Sequence, residues 1–214
     1  MEYKVIDNLV PESLANQIET VTCWRDDFAW GYRDQTSGVD DNYDHTNSCI
    51  QETYQFQHDV YAHDRGVISP QFELLMSPLH FLEHHMQSKI EQPQRIKVNM
   101  LLKDVEQKGM YHPPHIDLRN NTKAYSMVYY VNDSDGDTKI FDKVFHENPI
   151  FLDKLNYGGY KNFTEIHSNP PKKGSAIVFA SNRFHASSNP VINNRRVIIN
   201  YVFFASEDFL TKNT

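Results

Sequence analysis

The chain has 214 residues and a formal net charge of −7, which allows one domain with a substantial core but gives no overall positive charge for nucleic acid or anionic lipid. Its longest apolar runs, such as residues 197–205, are too short to cross a membrane, and residues 1–10 lack the pattern of a signal peptide. The two cysteines are too few for a disulfide framework. We therefore expect a cytoplasmic, intracellular monomer that binds neither nucleic acid nor membrane.

Two helices are predicted in the N-terminal part of the chain. Pro11 and Ser13 mark the start of an amphipathic helix over residues 10–21. Apolar residues recur at helical spacing over residues 71–90, where Pro78 would kink the helix or break its first turn. Between the two helices the chain is polar and aromatic.

The sequence from about residue 95 onward has the pattern of strands. Five β-rich segments are separated by Gly, Pro, Asn and Asp: RIKVNMLLK, AYSMVYYVN, TKIFDKVF, SAIVFAS and RRVIINYVFF. The Asp135-Gly136 pair between the second and third segments predicts a hairpin turn. Helices in front of many spaced strands favour a mainly β (α+β) single domain over residues 1–214. Its core would be a double-stranded β-helix, or jelly roll, over residues 95–205, with residues 1–94 as a helical or mixed support.

The segment YHPPHIDLRN places His115 and Asp117 two positions apart, so in an extended chain both side chains point to the same side and can reach one metal ion. With 11 His and 17 Asp in the chain, about one such pair arises by chance, so a third ligand is needed. His185 is the best candidate, because it follows an apolar strand and a polar turn and would lie at a strand end. Two histidines and one carboxylate form the ligand set of non-heme Fe(II) oxygenases.

A charged residue, Arg196, opens the apolar segment RVIINYVFF. An arginine that points into a barrel is an uncompensated buried charge unless an anion meets it, and its fork matches a carboxylate. A dicarboxylate co-substrate would answer that need. Arg195 competes for the role, because a shift of one residue along a strand exchanges the two faces.

Several motifs together resemble the Fe(II)/2-oxoglutarate-dependent dioxygenases. These are the H-x-D pair, the segment YYVNDSDGDTKIF, a strand followed by His185, and Arg196 with RVIINY behind it. Within this family the chain is most similar to the prolyl-4-hydroxylase-like group and to the short oxygenases carried by phages. The resemblance covers about residues 95–205, and residues 1–94 match only loosely.

The resemblance implies a ligand set and a co-substrate site. His115, Asp117 and His185 would hold Fe(II), and Arg196 would pair with the distal carboxylate of 2-oxoglutarate. Arg196 is favoured over Arg195 because the family's arginine usually lies six residues after a proline, here Pro190. Tyr130 falls where several members have a tyrosine that meets the same carboxylate, and Asn99 would face the same pocket.

The function implied by the resemblance is hydroxylation of a peptidyl prolyl or small amino-acid-like substrate, with O2 consumed and 2-oxoglutarate decarboxylated to succinate. Residues 46–61 are a candidate part of the lid that would select the substrate, and residues 38–48 are interpreted as a solvated acidic loop. Leu101 and Leu102 stand on the strand where prolyl hydroxylases often have a tyrosine, which argues against a collagen-type substrate. Two alternatives stay open: a cupin-like metalloenzyme without 2-oxoglutarate, and a non-catalytic jelly-roll binding or structural protein.

Overall fold

The computed structural model describes residues 2–37, 49–119, 123–145 and 163–211. The predicted acidic loop over residues 38–48, and with it the first part of the candidate lid, lies outside the described residues. The described helical elements are α1 (Glu12–Glu19), a π-helical turn (Thr20–Trp24), α2 (Phe72–Met86) and a 3-10 turn (Val105–Gln107). None of the helices in these ranges is long and apolar enough to span a membrane.

The described strands are β1 (Tyr3–Ile6), β2 (Gly31–Arg33), β3 (Gln55–Ala62), β4 (Gly66–Val67), β5 (Ile90–Leu102), β6 (Ala124–Tyr130), β7 (Thr138–Val144), β8 (Glu165–Asn169), β9 (Ala176–Ala180), β10 (Arg183–Ser187) and β11 (Arg195–Ala205). Eight of them form a major sheet in the order β1-β9-β6-β11-β5-β3-β2, with β4 paired to β3. The other three form a minor sheet in the order β10-β7-β8. The predicted mainly β, jelly-roll architecture is confirmed.

The two faces of the major sheet have different partners because side chains alternate along each strand. On β11, Val197, Ile199 and Tyr201 face the helices and are fully buried. They share one core cluster with residues of α2 such as Leu75 and Leu82. The Tyr201 hydroxyl also donates to the carbonyl of Leu75 at 2.6 Å. Each fully buried aliphatic side chain contributes about 1.5–3 kcal/mol to stability, so this packing holds the helices to the sheet.

The opposite face of the major sheet meets the minor sheet. A second, smaller core cluster joins Ile140 of β7 to Ile198 of β11 and to Ile177 and Phe179 of β9. The polar residues on this face surround a cleft between the two sheets. The alternation on β5 and β11 therefore places polar residues of these strands in the cleft.

Two expectations about elements need correction. The segment around Asp135 and Gly136 is not a hairpin, because β6 pairs with β9 and β11 whereas β7 pairs with β8 and β10. It carries the chain from the major sheet to the minor sheet. The side chain of Asp135 fixes this crossover by accepting hydrogen bonds of 2.9–3.0 Å from the backbone N–H groups of residues 191–193.

Residues 1–94 contain strands as well as helices, since β1, β2, β3 and β4 all belong to the major sheet. Residues 55–61, predicted from the sequence as a candidate part of the lid, lie in β3, which pairs with β5 over most of its length. The polar residues Gln55, Gln57 and Asp59 made this segment resemble a loop in sequence. They alternate along the strand and so share one face of the sheet, a pattern of period two that a search for apolar runs overlooks.

Candidate active site

A cleft of about 490 Å³, including its open mouth, lies between the two sheets. Its walls come mainly from β5, β10, β11 and the segment that carries His115 and Asp117, with single residues from β3, β6 and β7. Its lining residues are Thr36, Gln55, Lys97, Asn99, Leu101, His115, Asp117, Val128, Thr138, His185, Ala186, Ser187, Arg196, Ile198 and Asn200. This set contains the predicted metal ligands, Arg196 and Asn99.

The backbone holds His115, Asp117 and His185 together. His115 forms an antiparallel bridge with His185, in which each backbone N–H donates to the other residue's carbonyl, at 2.9 and 3.0 Å. The N–H of Asp117 donates to the carbonyl of Ser181 at 2.9 Å, at the turn between β9 and β10. His185 lies in the middle of β10, not at a strand end as expected from the sequence. One ligand atom from each of the three side chains lies within 4.8 Å of the other two.

Hydrogen bonds fix the tautomer of both histidines. The Nδ1 atom of His115 lies 3.2 Å from the carbonyl oxygen of Pro113, and that of His185 lies 3.1 Å from the carbonyl oxygen of Arg183. Because a carbonyl oxygen only accepts, each Nδ1 must carry the proton, which leaves the lone pair on Nε2. Burial lowers the pKa of His115 to about 3 and also lowers the pKa of His185, so both rings are neutral near pH 7.

The carboxylate of Asp117 is held by three side chains. Arg95 Nη2 donates to Oδ1 at 2.5 Å, while Ser126 Oγ and Asn200 Nδ2 donate to Oδ2 at 2.7 and 3.2 Å. Burial acts to raise the pKa of this carboxyl, but Arg95 and then His185 and His115 outweigh it, so the pKa lies well below its usual range. Asp117 is therefore an ionised, oriented oxygen ligand.

These three supporting residues were missed from the sequence, although a signal was present. Ser126 and Asn200 are polar residues inside the apolar segments AYSMVYYVN and RVIINYVFF, and Arg95 begins the segment RIKVNMLLK. A polar side chain on an otherwise apolar strand needs a partner when it is buried. The same rule that singled out Arg196 would have found them.

Arg195 and Arg196 point to opposite faces of β11. Arg195 donates to the carbonyl of Cys23 at 2.8 Å, and its guanidinium lies 4.2 Å from the ring centroid of Trp24, on the helix side. Arg196 lines the cleft and is 3 % exposed. Its Nε donates to the carbonyl of Gly136 at 2.6 Å and its Nη2 to the Thr138 hydroxyl at 2.7 Å. Within the described ranges no carboxylate lies within 4.0 Å of Arg196, so its charge faces only neutral acceptors.

The crossover approaches Arg196 closely enough that residue 136 must be glycine. A Cβ atom at Gly136 would lie 2.5 Å from the carbonyl oxygen of Ser188 and 3.0 Å from Cδ of Arg196. The turn that joins the two sheets therefore also sets the position of the buried guanidinium.

The two remaining predicted residues have different surroundings. Tyr130 is fully buried beside Arg196, and its hydroxyl accepts from Asn169 Nδ2 at 3.0 Å and bonds to Thr138, but it does not line the cleft. Asn99 does line the cleft, and its Oδ1 is buried without a hydrogen-bond partner in the described part of the chain. That oxygen is therefore an acceptor that the described residues leave unsatisfied.

Lys97, which was not predicted from the sequence, lines the cleft two residues before Asn99. Burial lowers the pKa of its ammonium to about 8. The signal was again alternation: Ile96 and Val98 are fully buried on the helix side, so the lysine between them must point into the cleft.

A search with the sequence against protein-family models found no match, and a search against curated proteins found none either. The fold is similar to the crystal structure of an oxidoreductase of the 2OG-Fe(II) oxygenase family from Burkholderia pseudomallei, with 14% identity and a TM-score of 0.62 over 95% of this chain and 85% of that chain. It is also similar to a Pseudomonas putida prolyl-4-hydroxylase, with 14% identity and a TM-score of 0.52 over 96% and 93% of the two chains.

A third similar structure is the epimerase SnoN in complex with Fe3+, alpha ketoglutarate and nogalamycin RO, with 10% identity and a TM-score of 0.57 over 95% of this chain and 78% of that chain. Identities this low are evidence for the fold and leave the activity to be argued from the site. The chain has the jelly-roll fold of the 2OG-Fe(II) oxygenases, and a His-Asp-His cluster that could hold a metal ion lies in its cleft.

Proposed function

We propose that this protein is an Fe(II)- and 2-oxoglutarate-dependent oxygenase that hydroxylates a peptidyl prolyl or small amino-acid-like substrate. The observation that carries the proposal is the combination, in one cleft, of a two-histidine, one-carboxylate cluster with a buried arginine that has no carboxylate partner in the described part of the chain. The first feature fits a non-heme iron and the second fits an anionic co-substrate.

The donor atoms fit Fe(II). The proposed ligands are Nε2 of His115, Nε2 of His185 and the carboxylate of Asp117. The two histidines are neutral and the carboxylate is ionised, as metal coordination requires. Iron with 2-oxoglutarate supplies the activation of O2 that an unactivated C–H bond needs, at the cost of decarboxylating 2-oxoglutarate to succinate. Arg95, Ser126 and Asn200 keep the Asp117 carboxylate in place, a supporting set of the kind that tunes metal affinity.

Arg196 is the proposed partner of the distal carboxylate of 2-oxoglutarate. Its bonds to Gly136 and Thr138 fix the plane of the guanidinium and leave donors of the fork unused. Tyr130 is proposed to assist at the same carboxylate through its hydroxyl, and Asn99 through the amide that faces the cleft. Burying a guanidinium without an anion is unfavourable in free energy, so binding of the co-substrate carboxylate would offset the penalty that arises when Arg196 is buried on folding.

An anaerobic titration with Fe(II) and then 2-oxoglutarate tests the proposal. Chelation of Fe(II) by a 2-keto acid gives a weak visible charge-transfer band, which we expect in the wild type. His115→Ala should lose metal binding, while Arg196→Ala should keep the metal but need at least about 10-fold more 2-oxoglutarate, the cost of one charge-assisted contact. Arg195→Ala is the matched control and should behave like the wild type.

Two results would contradict the proposal in different ways. Metal binding with no response to 2-oxoglutarate would favour a cupin-like metalloenzyme. If neither metal nor 2-oxoglutarate binds, the cluster is structural and the protein is a non-catalytic jelly roll.

A further inference from the structure

The position of Lys97 relative to the metal cluster follows from strand register. Lys97 lies opposite Asn200 on β11, and Asn200 donates to the carboxylate of Asp117. On its other side Lys97 lies opposite Asp59 on β3. The ammonium therefore enters the cleft next to the proposed metal site, away from Arg196, which lies opposite Leu101 on the same pair of strands.

Both carboxylates near Lys97 are already engaged. Asp117 accepts from Arg95, Ser126 and Asn200. Asp59 accepts from Gln57 Nε2 at 2.5 Å and faces Arg65 at 3.5 Å. In the described part of the chain Lys97 itself makes no hydrogen bond and no ion pair within 4.0 Å. An ammonium that lines a cleft in this state is an open donor toward a ligand.

The charges in the cleft favour an anionic ligand beyond the co-substrate. If the proposed function holds, Arg95 neutralises the negative charge of Asp117, and Arg196 neutralises that of the distal carboxylate of 2-oxoglutarate. Fe(II) with the other carboxylate of 2-oxoglutarate then leaves one positive charge, and Lys97 adds a second. Buried charge of one sign is unfavourable unless it is compensated, so an added anion stabilises the loaded site.

We propose that Lys97 binds a carboxylate of the primary substrate, so that the substrate is a small acid of the amino-acid type and not an internal proline of a peptide. Asn99 complements it, since the unpaired Oδ1 two residues further along β5 can accept an N–H from the same molecule. This inference rests on the proposed function and names the substrate class of that site.

The test uses the protein loaded with Fe(II) and 2-oxoglutarate under anaerobic conditions, so that ligands bind without turnover. The probes are three equimolar mixtures: the twenty amino acids, their N-acetyl derivatives, and the N-acetyl carboxamides. Compounds retained with the protein on ultrafiltration are identified by mass spectrometry. The variants are Lys97→Met, which removes the charge but keeps the length of the side chain, and Lys103→Met, which removes one exposed lysine just beyond the same strand.

We expect the wild type and Lys103→Met to retain one or more acids from the first two mixtures and none of the carboxamides. Lys97→Met should retain at least about 10-fold less of those acids, the loss expected for one hydrogen bond to a charged group. Its charge-transfer band with Fe(II) and 2-oxoglutarate should be unchanged.

Each other outcome overturns the inference. Retention of the same acids by Lys97→Met, equal retention of acids and carboxamides, or retention of nothing by the wild type would each show that Lys97 does not select a small acid. Loss of the band in Lys97→Met would show that this lysine serves 2-oxoglutarate. Absence of the band in the wild type would mark failure of the proposed function itself, which the binding data alone do not test.

Discussion

The two faces of the major sheet are built from the same strands but differ in polarity, charge and packing partners. On the helix side, residues such as Val98 and Ile199 pack against α2 in a continuous apolar core. On the cleft side, their neighbours Asn99 and Asn200 join a network of charges and hydrogen bonds around Asp117. One face stabilises the fold and the other bears the polar groups of a site, and the alternation of side chains along a strand keeps the two apart.

The largest expected effect breaks the helix side. Leu82 of α2 is fully buried, so Leu82→Ala should lower the free energy of unfolding by about 2–5 kcal/mol through lost burial and the cavity left behind. Urea unfolding followed by circular dichroism measures the loss. Fe(II) affinity of the folded protein should not change, and a variant that kept its stability but lost metal would show that the two faces are not separable in this way.

A second prediction concerns the dependence of stability on pH that the buried residue His112 introduces. This residue is fully buried between Ser187 and Asn189, with ring-nitrogen contacts of 2.8 and 2.7 Å. Burial lowers its pKa to about 4 from an ordinary value of 6.5. The unfolded chain therefore takes up a proton between pH 6.5 and 4 that the folded protein does not, so stability is full above pH 6.5 and falls as the pH drops toward 4.

The size of that loss follows from the separation of the two pKa values and is about 3 kcal/mol for this one residue. His112→Gln should remove it, so that between pH 7 and pH 4 the variant loses about 3 kcal/mol less than the wild type does. Urea unfolding at a series of pH values measures both slopes. Identical slopes would show that His112 titrates normally in the folded state.

The smallest expected effect sharpens the comparison on the cleft side. Asn200→Ala removes one hydrogen bond to the Asp117 carboxylate and should weaken Fe(II) binding about 10- to 100-fold, as is usual for groups that orient a metal ligand. Asn194→Ala, at an exposed position in the loop before β11, is the matched control and should bind Fe(II) as the wild type does. Equal affinities for the two variants would mean that Arg95 and Ser126 alone hold the carboxylate.

Much of the fold was predictable, because an apolar pattern of period two is a direct consequence of strands that bury a face. Five of the seven described strands from residue 90 onward were found in this way, and both α-helices were found from apolar residues at helical spacing. The short strands β8 and β10 and the polar strand β3 were missed, since few or no apolar residues mark them at the expected spacing. The hairpin predicted at Gly136 was wrong because a local turn signal does not say which sheet the next strand joins.

The candidate site was predictable in part, for the same physical reason. His115, Asp117, His185 and Arg196 are polar residues at positions that an extended chain turns to one side, and the structure gathers them around one cleft. Their roles stay predictions until metal and co-substrate are titrated, as do the phage-type relationship, the monomeric state and the cellular location.

The sequence by itself determined that side chains along the strands alternate between a buried apolar face and a second face, and that Arg195 and Arg196 must point in opposite directions. Only the tertiary structure decided which direction is which. Cys23 and Trp24 pack on the side of Arg195, and Gly136 and Thr138 meet Arg196 in the cleft. Contacts between residues 58 to 172 positions apart cannot be read from local periodicity, because they depend on how the whole chain closes on itself.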